Sequence, residues 1–223
     1  MRSHGKIVVG ITAIFAAVAG TSASLLASPH AAFAESAPVS PYVKVDAAGN
    51  PARWNPCANL QWKIAGAHPS RRLRLAARNT FRQIASTTGL RFTYAGRATP
   101  AEFASPPRDT IVIGAASNLG LANAGGMTNV FYASTASGGW TISGAKVAIN
   151  PLVVARGTRF TSMLTPIVLH EVGHAVGLAH VSNPSEIMYP QVVRTSRYTA
   201  GARASLHHLG ASMGCFASAV TAG

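Results

Sequence analysis

The chain has 223 residues, of which 48% are hydrophobic and only 11% are charged, so the composition excludes an intrinsically disordered protein and suits one domain with a sizeable core. Lys and Arg outnumber Asp and Glu by 19 to 6, and this net charge of +13 predicts attraction to anionic surfaces. No aromatic-interleaved basic motif or zinc-finger spacing occurs, so we expect no specific nucleic-acid partner, whereas anionic cell-wall polymers are a partner class that the charge would attract.

Residues 1–34 have the pattern of a secretory signal peptide. Arg2 and Lys6 form a positive start, residues 7–20 are a continuous apolar run, and a small-x-small sequence ends at Ala34. We therefore predict cleavage after Ala34, a secreted, extracellular protein with no membrane contact after cleavage, and a mature charge of 17 − 6 = +11. The alternative is an uncleaved membrane anchor, because the uncharged stretch is long enough to span a bilayer.

A flexible leader is predicted for residues 35–52, and the folded domain for residues 53–217. The first strand is expected at 60–64. Residues 70–88 read as an amphipathic helix, because apolar residues recur every three to four positions while four arginines share another face. That arginine face is either a solvated surface or a site for an anionic partner.

Further strands are predicted from short apolar or alternating runs rich in β-branched and aromatic residues. They lie at residues 90–94, 110–113, 127–132 and 145–149, and a final helix is expected at 199–209.

The segment 162–176 predicts a helix that is apolar nearly all round, which is typical of a buried helix. Pro166 is tolerated only in the first turn of a helix, so a helix start near Thr165 is the alternative to a start at residue 162. Histidine and glutamate side chains on a buried helix require a specific partner, and a metal ion would supply one.

The sequence HEVGHAVGLAH runs from His170 to His180 within and just beyond this helix. Residues four apart lie on one helical face, so His170 and His174 can bind one metal ion. Gly177 permits the chain to turn back and bring in His180 as the third ligand. Three histidines leave one position open, as in catalytic zinc sites, and Glu171 is placed to act as general base.

A methionine turn follows at Ile187-Met188-Tyr189-Pro190. The long zinc motif followed by such a turn resembles the metzincin zinc metalloproteases, and the turn is most similar to the matrixin branch, in particular small secreted bacterial matrixin-like proteases. The resemblance is strongest over residues 170–190 and extends more weakly over 53–215.

This resemblance implies an α+β, zincin-like catalytic domain, in which a twisted mixed sheet packs on helices and a small C-terminal subdomain follows the active-site helix. It implies one catalytic Zn²⁺, a monomer, and a protein or peptide substrate that pairs with an edge strand within residues 128–133. Met188 would form an apolar floor beneath the zinc without binding it. Tyr198 is a candidate for a transition-state hydrogen bond, and Glu186 for a brace of a zinc-binding histidine.

The two cysteines, Cys57 and Cys215, are predicted to form a disulfide, because export implies an oxidising compartment and the count is even. The rival reading makes Cys57 a thiolate that caps the zinc. Calcium is left open, because the chain has only six carboxylate side chains and calcium requires several oxygen ligands.

The function predicted from these features is that of a secreted zinc endopeptidase. The alternative is a zinc-stabilised, non-catalytic binding protein of the cell envelope. The presence of Glu171 is evidence against this alternative, because a structural zinc site needs no general base. A third reading is a secreted binder of anionic polymers in which the motif is vestigial.

Overall fold

The structure is a computed structural model that describes residues 8–14, 41–66, 70–116, 124–155 and 161–215. Most of the predicted signal peptide and residues 35–40 of the predicted leader lie outside these ranges. The strands are β1 (Val8–Ile14), β2 (Gln61–Ala65), β3 (Thr93–Ala98), β4 (Thr110–Ala115), β5 (Ala124–Ser134) and β6 (Trp140–Ile149). The helices are α1 (Arg71–Thr88), α2 (Pro100–Ala104), α3 (Pro151–Val154), α4 (Leu164–Ala175) and α5 (Ala200–His207).

The six strands form one mixed sheet in the order β1-β5-β6-β4-β2-β3. Strand β2 pairs in parallel with both β3 and β4, and β4 pairs in parallel with β6. Strand β5 runs antiparallel to both β6 and β1. The central strand β4 is buried along most of its length, as its uninterrupted apolar sequence predicts. The predicted α+β architecture, with helices packed on a twisted mixed sheet, is confirmed.

The helices α1 and α4 pack against each other on the sheet. The side chain of Ser70 caps α1 by accepting a hydrogen bond from the Leu73 N–H, and Gly89 ends the helix in the left-handed conformation at φ 72°. Every residue of α4 except Thr165 is buried. The predicted burial of the motif helix is therefore confirmed, and it begins at Leu164 with Pro166 in its first turn.

Several segments differ from the sequence prediction. Strand β6 begins at Trp140, ahead of the strand predicted at 145–149. The strand expected at 90–94 begins only at Thr93, since Leu90 is buried beside α1 and its N–H is donated to the Thr88 hydroxyl instead of to a neighbouring strand. Residues 97–108, between two of the predicted strands, were expected to form a loop and contain the short helix α2. Its start has a capping box, in which Thr99 and Glu102 each accept a hydrogen bond from the other's N–H, and this signal was missed.

The described part of the predicted leader, residues 41–52, packs against the folded domain. The Pro41 carbonyl accepts a hydrogen bond from the Ala179 N–H, and the Val43 N–H donates to the Gly177 carbonyl. Ala52 is buried in the main core. These contacts extend the packed domain from Arg53 back to Pro41, because the leader's backbone pairs with the chain that follows the motif helix.

The predicted disulfide between Cys57 and Cys215 is present, with the two Cα atoms 5.7 Å apart. Since the sulfur of Cys57 is bonded to that of Cys215, the rival role of Cys57 as a zinc-capping thiolate is excluded. Among the residues that the structure describes, no helix is long and apolar enough to span a membrane.

Candidate metal centre and active site

The end of α4 brings the third histidine back to the first two. Gly177 has φ 115°, a conformation that residues with a Cβ rarely adopt, and the Leu178 N–H donates to the Gly173 carbonyl at 3.0 Å. The chain therefore reverses directly after the helix. This reversal places His180 beside His170 and His174, as the motif predicts.

The Nε2 atoms of His170, His174 and His180 form a triangle in which each pair is separated by 3.1 Å. Three ligands at ~2.0–2.1 Å from one tetrahedral ion lie ~3.3 Å from one another, so this spacing fits a single zinc ion. These three residues are the only group of metal-ligating side chains that converges in this way within the described ranges. A cation between the three nitrogens would remove the repulsion between their lone pairs.

The other ring nitrogens hold two of these histidines in place. Nδ1 of His170 lies 2.7 Å from the Ile187 carbonyl oxygen, and Nδ1 of His174 lies 2.7 Å from the Leu178 carbonyl oxygen. A carbonyl oxygen only accepts, so each Nδ1 carries the proton and each Nε2 keeps its lone pair for a metal.

The electrostatics of the site favour the same neutral form of the rings. Burial lowers the pKa of His170 to about 4, with a smaller contribution from His180, although the bond to Ile187 opposes this shift. Burial also lowers the pKa of His174 and that of His180. Neutral imidazole is the form that binds zinc, so near pH 7 the three rings are ready to act as ligands.

Glu171 is fully buried between α4 and β5 in the full-length chain. Its Oε2 atom lies 2.7 Å from the hydroxyl of Thr128, whereas its Oε1 atom has no hydrogen-bond partner among the described residues. Burial raises the pKa of the carboxyl to about 8, while the bond with Thr128 lowers it. Gly126 lies so close that a Cβ there would be 2.7 Å from the Glu171 Cγ.

The predicted methionine turn packs directly under the motif helix. Met188 is 2% exposed, and a Cβ on Gly173 would lie 2.6 Å from its sulfur. Glycine at position 173 therefore permits a contact that any larger residue would obstruct. Met188 thus touches α4 next to the zinc-binding His174.

Comparison with known families gives a match between residues 122–204 and the family described as Matrixin. This part of the chain is similar to the matrixins. No curated protein matches the chain with significance. The matched region begins at 122 and includes β5, the three histidines, the methionine turn and the first part of α5, so it contains the whole of the candidate zinc site.

The remaining candidate residues of the matched region direct their hydrogen bonds away from the histidine triangle. The hydroxyl of Tyr198 donates to the Leu169 carbonyl at 2.9 Å inside the core, which fits a structural role and leaves it unavailable to a reacting group. Glu186 forms no hydrogen bond with any of the three histidines. Its carboxylate accepts hydrogen bonds from the Thr199 hydroxyl and from two N–H groups in the first turn of α5.

The outer edge of β5 is occupied by another part of the same chain. Strand β1 pairs with it antiparallel, with Ile11 opposite Thr128 and Val8 opposite Phe131. The resemblance predicted an edge strand at 128–133 that accepts an extended peptide, and these residues lie within β5. The backbone of β5 is therefore able to receive an extended strand beside Glu171.

Sequence reasoning missed Thr128 as a partner of Glu171. The two residues are 43 positions apart, and a single threonine in a strand gives no local signal. Gly126 could have been noticed, because a glycine inside a predicted strand often marks a close approach by another group.

Proposed function

We propose that this protein is a secreted zinc endopeptidase. The observation that carries the proposal is the pairing of three converging histidine nitrogens with a buried glutamate oxygen, Oε1 of Glu171, that has no partner within the described residues. A structural zinc site has no need of such a carboxylate, whereas peptide hydrolysis requires a general base next to the metal. The match to the matrixin family supports the same activity.

His170, His174 and His180 would hold the ion. When bound at such a site, zinc supplies Lewis acidity that activates water and polarises a carbonyl group. Glu171 would take up the proton of the attacking water on Oε1, because Oε2 is engaged with Thr128. The same carboxyl would then donate that proton to the leaving amine, so the base returns to its starting form.

The substrate would be an extended stretch of polypeptide that lies antiparallel along β5. The pairing of β1 with β5 supports this geometry, since it places an extended backbone along β5 and hence past the Glu171 that β5 contacts. We propose further that residues 1–34 direct export and are removed, after which the outer edge of β5 is open. Sequencing the N-terminus of the exported protein tests the predicted cleavage after Ala34.

The activity is tested by profiling the exported protein against a peptide library, with and without a zinc chelator. Glu171→Gln is the matched variant, because it keeps the side-chain shape and the three histidines but removes the basic oxygen pair. We expect the wild type to cleave peptides in a chelator-sensitive manner, and Glu171→Gln to bind zinc with cleavage reduced by at least ~10²-fold. Cleavage by Glu171→Gln at the wild-type rate would contradict the proposal.

A wild-type protein that binds zinc and cleaves none of the library would instead favour the zinc-stabilised binding protein of the cell envelope. Salt-dependent retention on an anionic matrix, together with absent proteolysis after zinc loading, would favour the polyanion binder.

A further inference from the structure

Three consecutive hydrogen bonds connect the ring of His170 with a carboxylate on the far side of the methionine turn. Nδ1 of His170 donates to the Ile187 carbonyl at 2.7 Å. The Ile187 N–H donates to the Thr199 hydroxyl oxygen at 3.1 Å. The Thr199 hydroxyl in turn donates to Oε2 of Glu186.

The donors along this series all point in one direction, from the histidine toward the negative charge. The hydroxyl of Thr199 has one proton, and it uses that proton on Glu186 while its oxygen accepts from Ile187, so each group has a compatible role. Glu186 is itself fixed, because it accepts from the N–H groups of Gly201 and Ala202 at 3.0 and 3.1 Å. These N–H groups lie in the first turn of α5, where a carboxylate is favoured.

We propose that Glu186 and Thr199 are positioning residues for the metal centre, which they influence through Ile187. Thr199 holds the backbone of Ile187, and the Ile187 carbonyl fixes the tautomer and orientation of the His170 ring, so that Nε2 faces the other two histidines. The Ile187 N–H and C=O belong to two adjacent peptide groups joined through its Cα, so Glu186 and Thr199 act on His170 by fixing the position of this backbone. This inference rests on the proposed zinc site and extends it to two residues that lie beyond the motif.

A simpler role for Glu186 would be to cap α5 without any effect on the metal. Glu102 provides a matched comparison, because it also accepts hydrogen bonds at the start of a helix, in the capping box of α2. Glu102 pairs with Lys63 and has no hydrogen-bonded connection to His170 among the described residues. Neutralising Glu102 therefore removes a helix cap and leaves the series to the metal site intact.

The test compares zinc dissociation constants, measured by competition with a chromophoric chelator, for the exported wild type and four variants. Thr199→Val removes the hydroxyl, Thr199→Ser retains it, and Glu186→Gln and Glu102→Gln each neutralise one cap. We expect zinc to bind ~10- to 100-fold more weakly to Thr199→Val and Glu186→Gln. Affinities within about threefold of wild type are expected for Thr199→Ser and Glu102→Gln, since neither change breaks the series.

The absorption spectrum of the cobalt-substituted protein gives an independent readout, because its visible bands report the geometry of the ligands. We expect altered bands for Glu186→Gln and unchanged bands for Glu102→Gln. Wild-type affinity and spectrum in both Thr199→Val and Glu186→Gln would overturn the inference, as would an equal loss of affinity in Glu102→Gln. If Thr199→Val does not fold, Glu186→Gln alone decides. A wild type that binds no zinc would instead overturn the proposed function.

Discussion

The hydroxyl oxygen of Thr128 lies 2.7 Å from Oε2 of Glu171 and 2.9 Å from the main-chain oxygen of the same residue. Both residues are completely buried, so water does not compete for these contacts in the full-length chain. The contact ties the proposed general base to β5, the strand along which the substrate would lie. The base and the peptide backbone are thus located by the same structural element.

Replacing Thr128 by valine keeps the side-chain volume but removes the hydroxyl. A hydrogen bond to a charged group contributes ~1.5–3 kcal/mol, so we expect kcat to fall by about 10- to 150-fold if the contact persists in the transition state. Hydrolysis of a fluorogenic peptide measures the effect, and KM should change little. Thr128→Ser is the control and should retain most activity. Equal activity of the valine and serine variants would contradict the role of the hydroxyl.

Gly126 lies against the same carboxylate. A Cβ at this position would be 2.7 Å from the Glu171 Cγ and 2.9 Å from Oε1, so Gly126→Ala must displace the side chain of the base. Misplacing a catalytic group by about 1 Å can cost ~10²-fold in rate, and we expect a loss of that order. The zinc content, measured on the same preparation, should remain that of the wild type. A parallel loss of zinc would show that the substitution disturbs the histidines instead.

We predict that the fold is more stable with glycine at position 173 than with alanine, although Gly173 lies within a helix. Alanine in place of glycine favours a helix by ~1 kcal/mol, whereas overpacking costs ~1–3 kcal/mol, and the added Cβ would be 2.6 Å from the Met188 sulfur. We therefore expect Gly173→Ala to lower the free energy of unfolding by up to about 2 kcal/mol, as measured by denaturant titration.

The sign of this effect should reverse when Met188 is first replaced by alanine, because the obstructing sulfur is then absent. If Gly173→Ala also stabilises the protein that retains Met188, the contact with Met188 does not oppose the added Cβ.

The carboxyl of Glu186 predicts a pH-dependent contribution to stability. Burial alone would raise its pKa, but hydrogen bonds from Thr199, Gly201 and Ala202, with the charge of Arg203, hold the pKa below its ordinary value of 4.5. Stabilisation by the ionised group is thus fully present above pH 4.5 and is lost as the pH falls through the lower pKa of the folded state.

We expect Glu186→Gln to melt at a lower temperature than the wild type near neutral pH, and this difference to shrink as the pH falls below 4.5 and through the lower pKa of the folded wild type. Thermal unfolding across this range measures both temperatures. A gap that stays constant with pH would show that the charge of Glu186 does not stabilise the fold.

The disulfide between Cys57 and Cys215 closes a loop with a sequence separation of 158 residues. Loop-closure entropy assigns a disulfide of this span up to ~5 kcal/mol of stability. We expect a Cys57→Ser/Cys215→Ser variant to lose most of that amount in denaturant unfolding. Its activity per folded molecule should remain close to wild type, because neither cysteine contacts the histidines or Glu171. Unchanged stability would indicate that packing alone keeps the segments around Cys57 and Cys215 together.

The zinc site was predictable because its residues follow one another at spacings that a helix and a turn convert into a common position. His170 and His174 share a helical face, and Gly177 marks the turn that returns His180. The buried character of α4 could likewise be read from its apolar sequence. Each of these signals is local, so no knowledge of the tertiary fold was required.

The partners of the site could not be predicted, since they depend on long-range packing. Thr128 reaches Glu171 only because β5 crosses beside α4, and Thr199 reaches Ile187 only because α5 packs behind the methionine turn. The docking of Pro41 on Ala179 was missed for the same reason, because a short polar segment gives no sign of the backbone that it will pair with.

The position of the disulfide bears on what happens when the protein is itself cut. All three histidines, Glu171 and the methionine turn lie between Cys57 and Cys215 in the sequence. A single break in the backbone anywhere between these cysteines leaves the two fragments covalently joined, and they separate only after reduction. A nick in a surface loop, whether made by another protease or by a second copy of this chain, therefore does not by itself release any part of the catalytic machinery.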